Sequence, residues 1–172
     1  MHSDVLGELG ALAFGTRLKR LSDRVMQDGA KMYRATGIAF EPKWFPVYYY
    51  LSEMGPRSIM DIAKAVGISH PSVNQVAREM KAANLVSAYK DTKDKRKRVL
   101  ALTSAGRHKY QVLEPTLRDI RQAMQATIDE SGGDFIEQLT ALEKSFGRQD
   151  FVGRFSDQQD KESGAVEIRT FK

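Results

Sequence analysis

Residues 57–103, RSIMDIAKAVGISHPSVNQVAREMKAANLVSAYKDTKDKRKRVLALT, constrain the fold more than any other stretch of the chain. Ser58 stands three places before Asp61, a relaxed capping box that opens a helix. Ile59, Ile62, Ala63 and Val66 give that helix an apolar face. Gly67 supplies a turn. Ser69 can cap a second helix, and Pro71 is tolerated in its first turn. Val73, Val76, Ala77 and Met80 recur at helical spacing, so they should face inward. Asn84 and Leu85 close this helix. Residues 86–90 and 97–102 then read as strands, the second with alternating apolar positions.

Helix, tight turn, helix, strand, basic loop, strand is the order of a winged helix-turn-helix. Such a unit sets one helix in the DNA major groove and a charged hairpin beside it. The outward face of the second helix carries Ser69, His70, Ser72, Asn74, Gln75, Arg78 and Lys81. A polar helix face is often only a solvated one. These side chains are also the kind that hydrogen-bond base edges and phosphates. The hairpin tip adds weight to that reading. KDTKDKRKR, residues 90–98, holds six basic and two acidic residues, a local charge of +4 in a chain of net charge +5. A charge run is commonly a solvated loop. Placed at the tip of a hairpin, the same run suits a phosphate backbone or a minor groove.

The flanks read as helices. Residues 4–35 have apolar residues at three- and four-residue steps, from Val5 to Met26, and predict one long helix. Its Gly7, Gly10 and Gly15 suit close approach of another backbone, so the segment is either an ordinary surface helix or a dimer-forming one. Residues 41–54, EPKWFPVYYYLSEM, predict a second, strongly aromatic helix. It serves either as packing or as the wall of a ligand pocket, for which Tyr33, Trp44 and Tyr48 are the candidates. Thr103 should cap a long helix with Tyr110, Leu113, Leu117, Ile120, Met124 and Ile128 on one face, bent at Pro115. Ser131-Gly132-Gly133 breaks it. Asp134 opens a last helix with Phe135, Leu139, Leu142 and Phe146 inward. Residues 156–164 are polar and expected to be flexible, and AVEIRTFK at the end alternates like a strand. The fold class expected is mainly α with a small β-hairpin wing.

Other chemistry is poorly represented. The chain has no cysteine, which excludes disulfides and thiolate metal sites and fits a cytoplasmic protein. No apolar run is long enough to span a membrane, and MHSDVLGELG lacks the basic start of a signal peptide. His2, His70 and His108 are dispersed, with no HExxH spacing. No catalytic residue, metal or cofactor is predicted.

Two segments, IMDIAKAVGISHPSVNQVAREMKAANLV and DKRKRVLALTSAG, resemble the MarR family of bacterial transcriptional regulators. In the second, Asp94, Arg96, Leu102, Thr103 and Gly106 occupy the places of the family's wing signature. The resemblance covers residues 4–155, a domain of 1–155 in which 57–103 is the DNA-binding unit. It implies a homodimer joined through helices within 4–35 and 104–155, gripping a palindromic site on double-stranded DNA. By that likeness Ser69 to Arg78 form the major-groove helix. Lys93, Asp94, Lys95, Arg96, Lys97 and Arg98 form the wing, with Arg96 at the minor groove and Asp94 holding it. Lys95 stands where the family often has arginine. The family also implies repression relieved by a small aromatic or anionic effector between the aromatic helix and the dimer helices. The tail, residues 156–172, is similar at AVEIRTFK to the opening strand of GNAT acetyltransferases. The chain is therefore expected to be a stand-alone regulator with a tail, or alternatively the regulatory half of an acetyltransferase fusion.

Overall fold

The computed structural model describes residues 4–92 and 94–170 and divides into two compact units, Met1–Ile120 and Arg121–Lys172. The first unit opens with a short helix α1 (Val5–Glu8), a 3₁₀ turn (Gly10–Ala13) and a long helix α2 (Phe14–Ala35). The single helix expected over 4–35 is therefore interrupted. Gly10 has φ +53°, in the left-handed region that a right-handed helix cannot pass through and that glycine enters freely. Beyond it α2 is laced on its exposed side by Lys19–Asp23, Arg24–Asp28 and Lys31–Asp28 pairs at helical spacing.

A 3₁₀ turn at Pro42–Trp44 leads into α3 (Phe45–Met54), where the sequence predicts one helix over 41–54. Proline near each start explains the staging, since its missing N–H costs nothing there. Val47, Tyr48 and Leu51 of α3 are buried. Phe40 sits between Tyr33, Tyr48 and Trp44, with ring centroids 5.2, 5.3 and 5.6 Å away and edge-to-face tilts. This geometry sets the positive edge of one ring on the negative face of another. The aromatic stretch is thus largely core, with Trp44 half-buried at its margin.

The winged unit follows as expected and adds a strand. A short β1 (Arg57–Ser58) precedes α4 (Ile59–Val66), α5 (His70–Ala82), β2 (Val86–Lys90) and β3 (Arg98–Leu102). The sheet order is β1-β3-β2, both pairings antiparallel, with Ser58 opposite Val99 and Ala88 opposite Leu100. The Ser58 side chain accepts from the Asp61 N–H and its hydroxyl donates to the Asp61 carboxylate, so the capping box forms. Gly67 ends α4 at φ +73°. Val73, Val76, Ala77 and Met80 of α5 are all buried. On α4, Ile59 and Ile62 are buried, while Ala63 and Val66 are half-buried against the same core.

The next helix, α6 (Ser104–Glu130), starts against the sheet and runs through Pro115. Thr103 caps it. The Thr103 hydroxyl accepts from the Gly106 N–H at 2.9 Å and donates to the Asn84 carbonyl at 2.7 Å. The Thr103 N–H donates to the Leu85 carbonyl at 3.0 Å. Gly106 is buried so closely that a Cβ there would lie 2.1 Å from the Leu85 oxygen. From the other side, the buried Tyr48 hydroxyl donates to the Gly106 carbonyl. Burial first, and Tyr110 second, push the Tyr48 phenol up to about 12, so it remains a donor at neutral pH.

In the second unit, α6 continues to Glu130, Gly132 and Gly133 break it with positive φ, and α7 (Phe135–Arg148) and α8 (Phe151–Thr170) follow. The inward face expected on α7 is only partly covered. Leu139 and Leu142 are half-buried, whereas Phe135 and Phe146 are exposed. The helix from Asp134 is also not the last. The α8 backbone is helical through 156–164 and to Thr170, where the sequence suggests a flexible segment and then a strand. A short alternating run has no ladder partner there, whereas a helix satisfies its own backbone groups. Phe171 and Lys172 lie outside the described residues.

The contact at Gly106 makes a direct demand on the sequence. A Gly106→Ala substitution should cost about 1–3 kcal/mol by forcing α6 off the Leu85 carbonyl. Urea denaturation followed by circular dichroism measures it, and an unchanged midpoint would contradict the contact.

Candidate nucleic-acid interface

The recognition-type helix α5 begins at a built cap. The Ser69 side chain accepts from the Ser72 N–H at 3.2 Å, and the two hydroxyls lie 2.8 Å apart. The Val73 N–H donates to the Ser69 carbonyl at 3.0 Å and Pro71 has no N–H, so the first turn is largely satisfied within the helix while the positive end of its dipole lies among exposed residues. His70, Ser72, Gln75 and Arg78 are exposed and Asn74 is half-buried. Because the opposite face is filled by Val73, Val76, Ala77 and Met80, helical geometry places these polar residues on the solvent side together. Asn74 turns back on its own helix. Its Nδ2 donates to the His70 carbonyl at 3.1 Å and lies 3.1 Å from His70 Nδ1.

The wing tip is shaped by its own acids. The Asp91 side chain accepts from the Asp94 N–H at 2.9 Å, and the Asp91 N–H donates to the Lys97 carbonyl at 3.0 Å. The Lys97 N–H donates to the Asp94 carbonyl at 2.8 Å. Asp94 then accepts at one carboxylate oxygen from the Arg96 N–H at 3.1 Å and from Arg96 Nε at 3.3 Å. Arg96 keeps 93% of its side chain exposed. An ion pair this open adds little stability. Its effect is to aim the guanidinium, whose remaining N–H groups are forked for bidentate contact. Lys95, Lys97 and Arg98 are exposed around it. Lys93 lies outside the described residues.

The sequence reading missed the residue that ties α5 to the rest of the unit. Glu79, one turn beyond Gln75, accepts from Trp44 Nε1 at 2.7 Å, from Lys43 Nζ at 2.8 Å and from Gln75 Nε2 at 3.2 Å. The Lys43 ammonium, then the Trp44 indole, hold the Glu79 carboxyl below its ordinary value of 4.5. The i, i+4 spacing of Gln75 and Glu79 is visible in the sequence. The 35-residue reach to Trp44 is not.

Of the candidate pocket residues, Tyr33 and Tyr48 are 4% and 0% exposed, closed into the aromatic core, and Trp44 is bonded to Glu79. A half-open cavity of about 310 Å³ lies elsewhere, between α3, the sheet and the start of α6. Leu51, Pro56, Ala101 and Leu102 give it apolar walls, and Ser52, Arg107 and Tyr110 give it polar ones. Among the described residues, no three His, Cys, Asp or Glu side chains gather where they could hold a metal ion. No helix of the described residues is long and apolar enough to cross a membrane.

These elements define a winged helix-turn-helix. Residues 40–97, the winged unit up to the wing tip, match the model of the MarR family. No curated protein matches the chain by sequence. Solved structures share the fold. BpsR of Bordetella bronchiseptica, whose DNA binding is regulated by 6-hydroxynicotinic acid, is 24% identical, with 74% of this chain and 91% of that one covered at a TM-score of 0.57. MepR of S. aureus, in complex with DNA, is 18% identical, with 77% and 97% covered and a TM-score of 0.64. PcaV of Streptomyces coelicolor, in complex with its natural ligand, is 17% identical, with 72% and 89% covered and a TM-score of 0.60.

The Glu79 clasp titrates in a defined direction. A carboxyl whose value is lowered on folding adds stability above its unfolded value and loses it as pH falls through the folded one. Trp44 is the single tryptophan, so its emission reports the clasp. Acid titration of that emission should show a midpoint below 4.5, absent in Glu79→Gln. A midpoint at or above that value would count against the clasp.

Proposed function

We propose that this chain is a sequence-specific DNA-binding transcriptional regulator, acting as a homodimeric repressor on a palindromic operator. The observation that carries the reading is the wing tip. Arg96 is almost fully exposed, yet its guanidinium is held by Asp94, and its chain neighbours Lys95, Lys97 and Arg98 are exposed as well. A solvated loop does not require a steered arginine; a narrow, negative minor groove rewards one. On this reading Ser69, His70, Ser72, Asn74, Gln75 and Arg78 of α5 enter the major groove. Phosphate contacts then supply most of the affinity and base contacts the sequence choice. MepR is seen on DNA with the same fold, which supports this docking.

Dimerisation is supported by apolar side chains left open in both units. Leu12 is 88% exposed in the first, and Phe151 and Val152 are 70% and 71% exposed in the second. Surfaces of this kind mark protein contact. A second copy of the chain, joined through residues within 4–35 and 104–155, would cover them and set two α5 helices for successive half-sites.

Effector control is a second part of the proposal. The cavity beside Arg107 and Tyr110 is of the size that holds a small aromatic acid. BpsR, whose DNA binding answers to 6-hydroxynicotinic acid, supports a ligand of that chemistry. Its binding would shift the population between clamped and splayed dimers.

Arg96→Ala should weaken binding to every duplex and lower the slope of log affinity against log salt by about one. Fluorescence anisotropy over a salt series measures both, and an unchanged slope would remove Arg96 from the interface. Adding an aromatic acid such as a hydroxynicotinate should raise the melting temperature of the wild-type protein. An Arg107→Ala variant should show a smaller shift, and equal shifts would place the ligand elsewhere.

A further inference from the structure

We propose that Glu79 is a specificity-positioning residue for α5. By accepting a hydrogen bond from Gln75 it holds that amide in one of its two orientations, so that the Gln75 carbonyl oxygen faces outward as an acceptor for a base amino group. The inference rests on the DNA-reading function proposed above.

The two ends of a glutamine amide are nearly identical in shape and opposite in chemistry. Turning the group over exchanges an acceptor for two donors. In the major groove that exchange decides the base. Adenine offers N6–H₂ to an acceptor and N7 to a donor, whereas thymine O4 and guanine O6 accept only. An amide free to turn can satisfy either edge and discriminates weakly.

Gln75 is not free to turn. It is exposed on the reading face of α5, and one of its terminal atoms lies 3.2 Å from Glu79 Oε1. A carboxylate can only accept, so that atom must be Nε2. The carbonyl oxygen is then on the far side of the amide, and the second Nε2 hydrogen is left for a base acceptor. The arrangement fits the N6 and N7 edge of adenine, or the amino group of cytosine, and sets an oxygen against thymine O4 or guanine O6.

The support is rigid because Glu79 is itself held from outside α5. Trp44 Nε1 and Lys43 Nζ, both in the turn before α3, reach its carboxylate at 2.7 and 2.8 Å. Only 28% of the Glu79 side chain is exposed, against 49% for Lys43. Lys43 also neutralises a charge that would otherwise repel DNA phosphates. The chain Trp44–Glu79–Gln75 therefore connects the aromatic core to a base-reading amide. Its cost is entropy lost before binding rather than during it.

The test selects randomised duplex DNA with the full-length wild type, Gln75→Ala, Glu79→Ala and Glu79→Gln in parallel, with melting curves to confirm that each folds. Wild type should enrich a motif with adenine or cytosine at one position per half-site, and Gln75→Ala should lose preference there. Glu79→Ala should lose about tenfold discrimination at that same position, the scale of one bidentate base contact, and leave the other positions and the salt slope unchanged. Glu79→Gln has a single oxygen, which the Trp44 and Lys43 donors claim, so its amide nitrogen faces Gln75, the Gln75 amide turns over, and the adenine or cytosine preference should be lost. The proposal is overturned if Glu79→Ala keeps the wild-type preference where Gln75→Ala loses it. It is equally overturned if Glu79→Ala flattens every position alike, or if the wild type prefers guanine or thymine at the Gln75 position. A wild-type protein that enriches no motif would instead sink the DNA-reading function, and this inference with it.

Discussion

The winged unit depends on one crowded junction, where the first turn of α6 rests on the backbone at the entry to β2. Gly106 has no side chain because the Leu85 carbonyl occupies the place of one. Thr103 bonds to Asn84 and Leu85 while capping α6, and Tyr48 of α3 reaches the Gly106 carbonyl. Three elements are thus pinned at one point. Asn84, the single described non-glycine residue with positive φ, makes the sharp turn that brings Leu85 there. Without that junction α5 and the hairpin would lack a common base, and nothing would fix the one relative to the other.

A second tie acts in the last turn of α5 itself, just before Asn84 and Leu85. Glu79 gathers Lys43, Trp44 and Gln75, so the aromatic core is linked to the exposed polar face of α5 by hydrogen bonds as well as by packing. The two ties have different chemistry. The Gly106 junction is buried and neutral, so it offers no charge for acid or salt to act on. The Glu79 clasp is half-open and ionic, so acid and salt weaken it. Orientation of the side chains that Glu79 holds is therefore the softer property, and it depends on the turn that leads into the aromatic helix.

Much of the winged unit was legible because its signals are local. Ser58 and Ser69 as caps, Gly67 as a turn and the spacing of Val73, Val76, Ala77 and Met80 each act within a few residues, and each appears where local rules place it. The basic hairpin tip was legible as charge, and the pairing of Asp94 with Arg96 two residues away as family likeness. The tail was misread because alternation over a few residues carries little information without a partner strand. The break at Gly10 was missed because glycine lowers helix propensity without stating where a helix stops.

The sequence by itself determined the helix-turn-helix-hairpin order of the winged unit, the inward face of α5 and the concentration of positive charge at 90–98, since these follow from chain-local geometry and composition. Tertiary structure alone decided three things. It put Tyr33 and Tyr48 into the core rather than around a cavity, because Phe40 fills the space between them. It opened a cavity between α3, the sheet and α6, where residues from 51 to 111 meet. It brought Lys43 and Trp44 to Glu79, which fixes the orientation of Gln75. Each joins residues far apart in the chain, and such contacts form only when packing of the whole core sets which surfaces face one another.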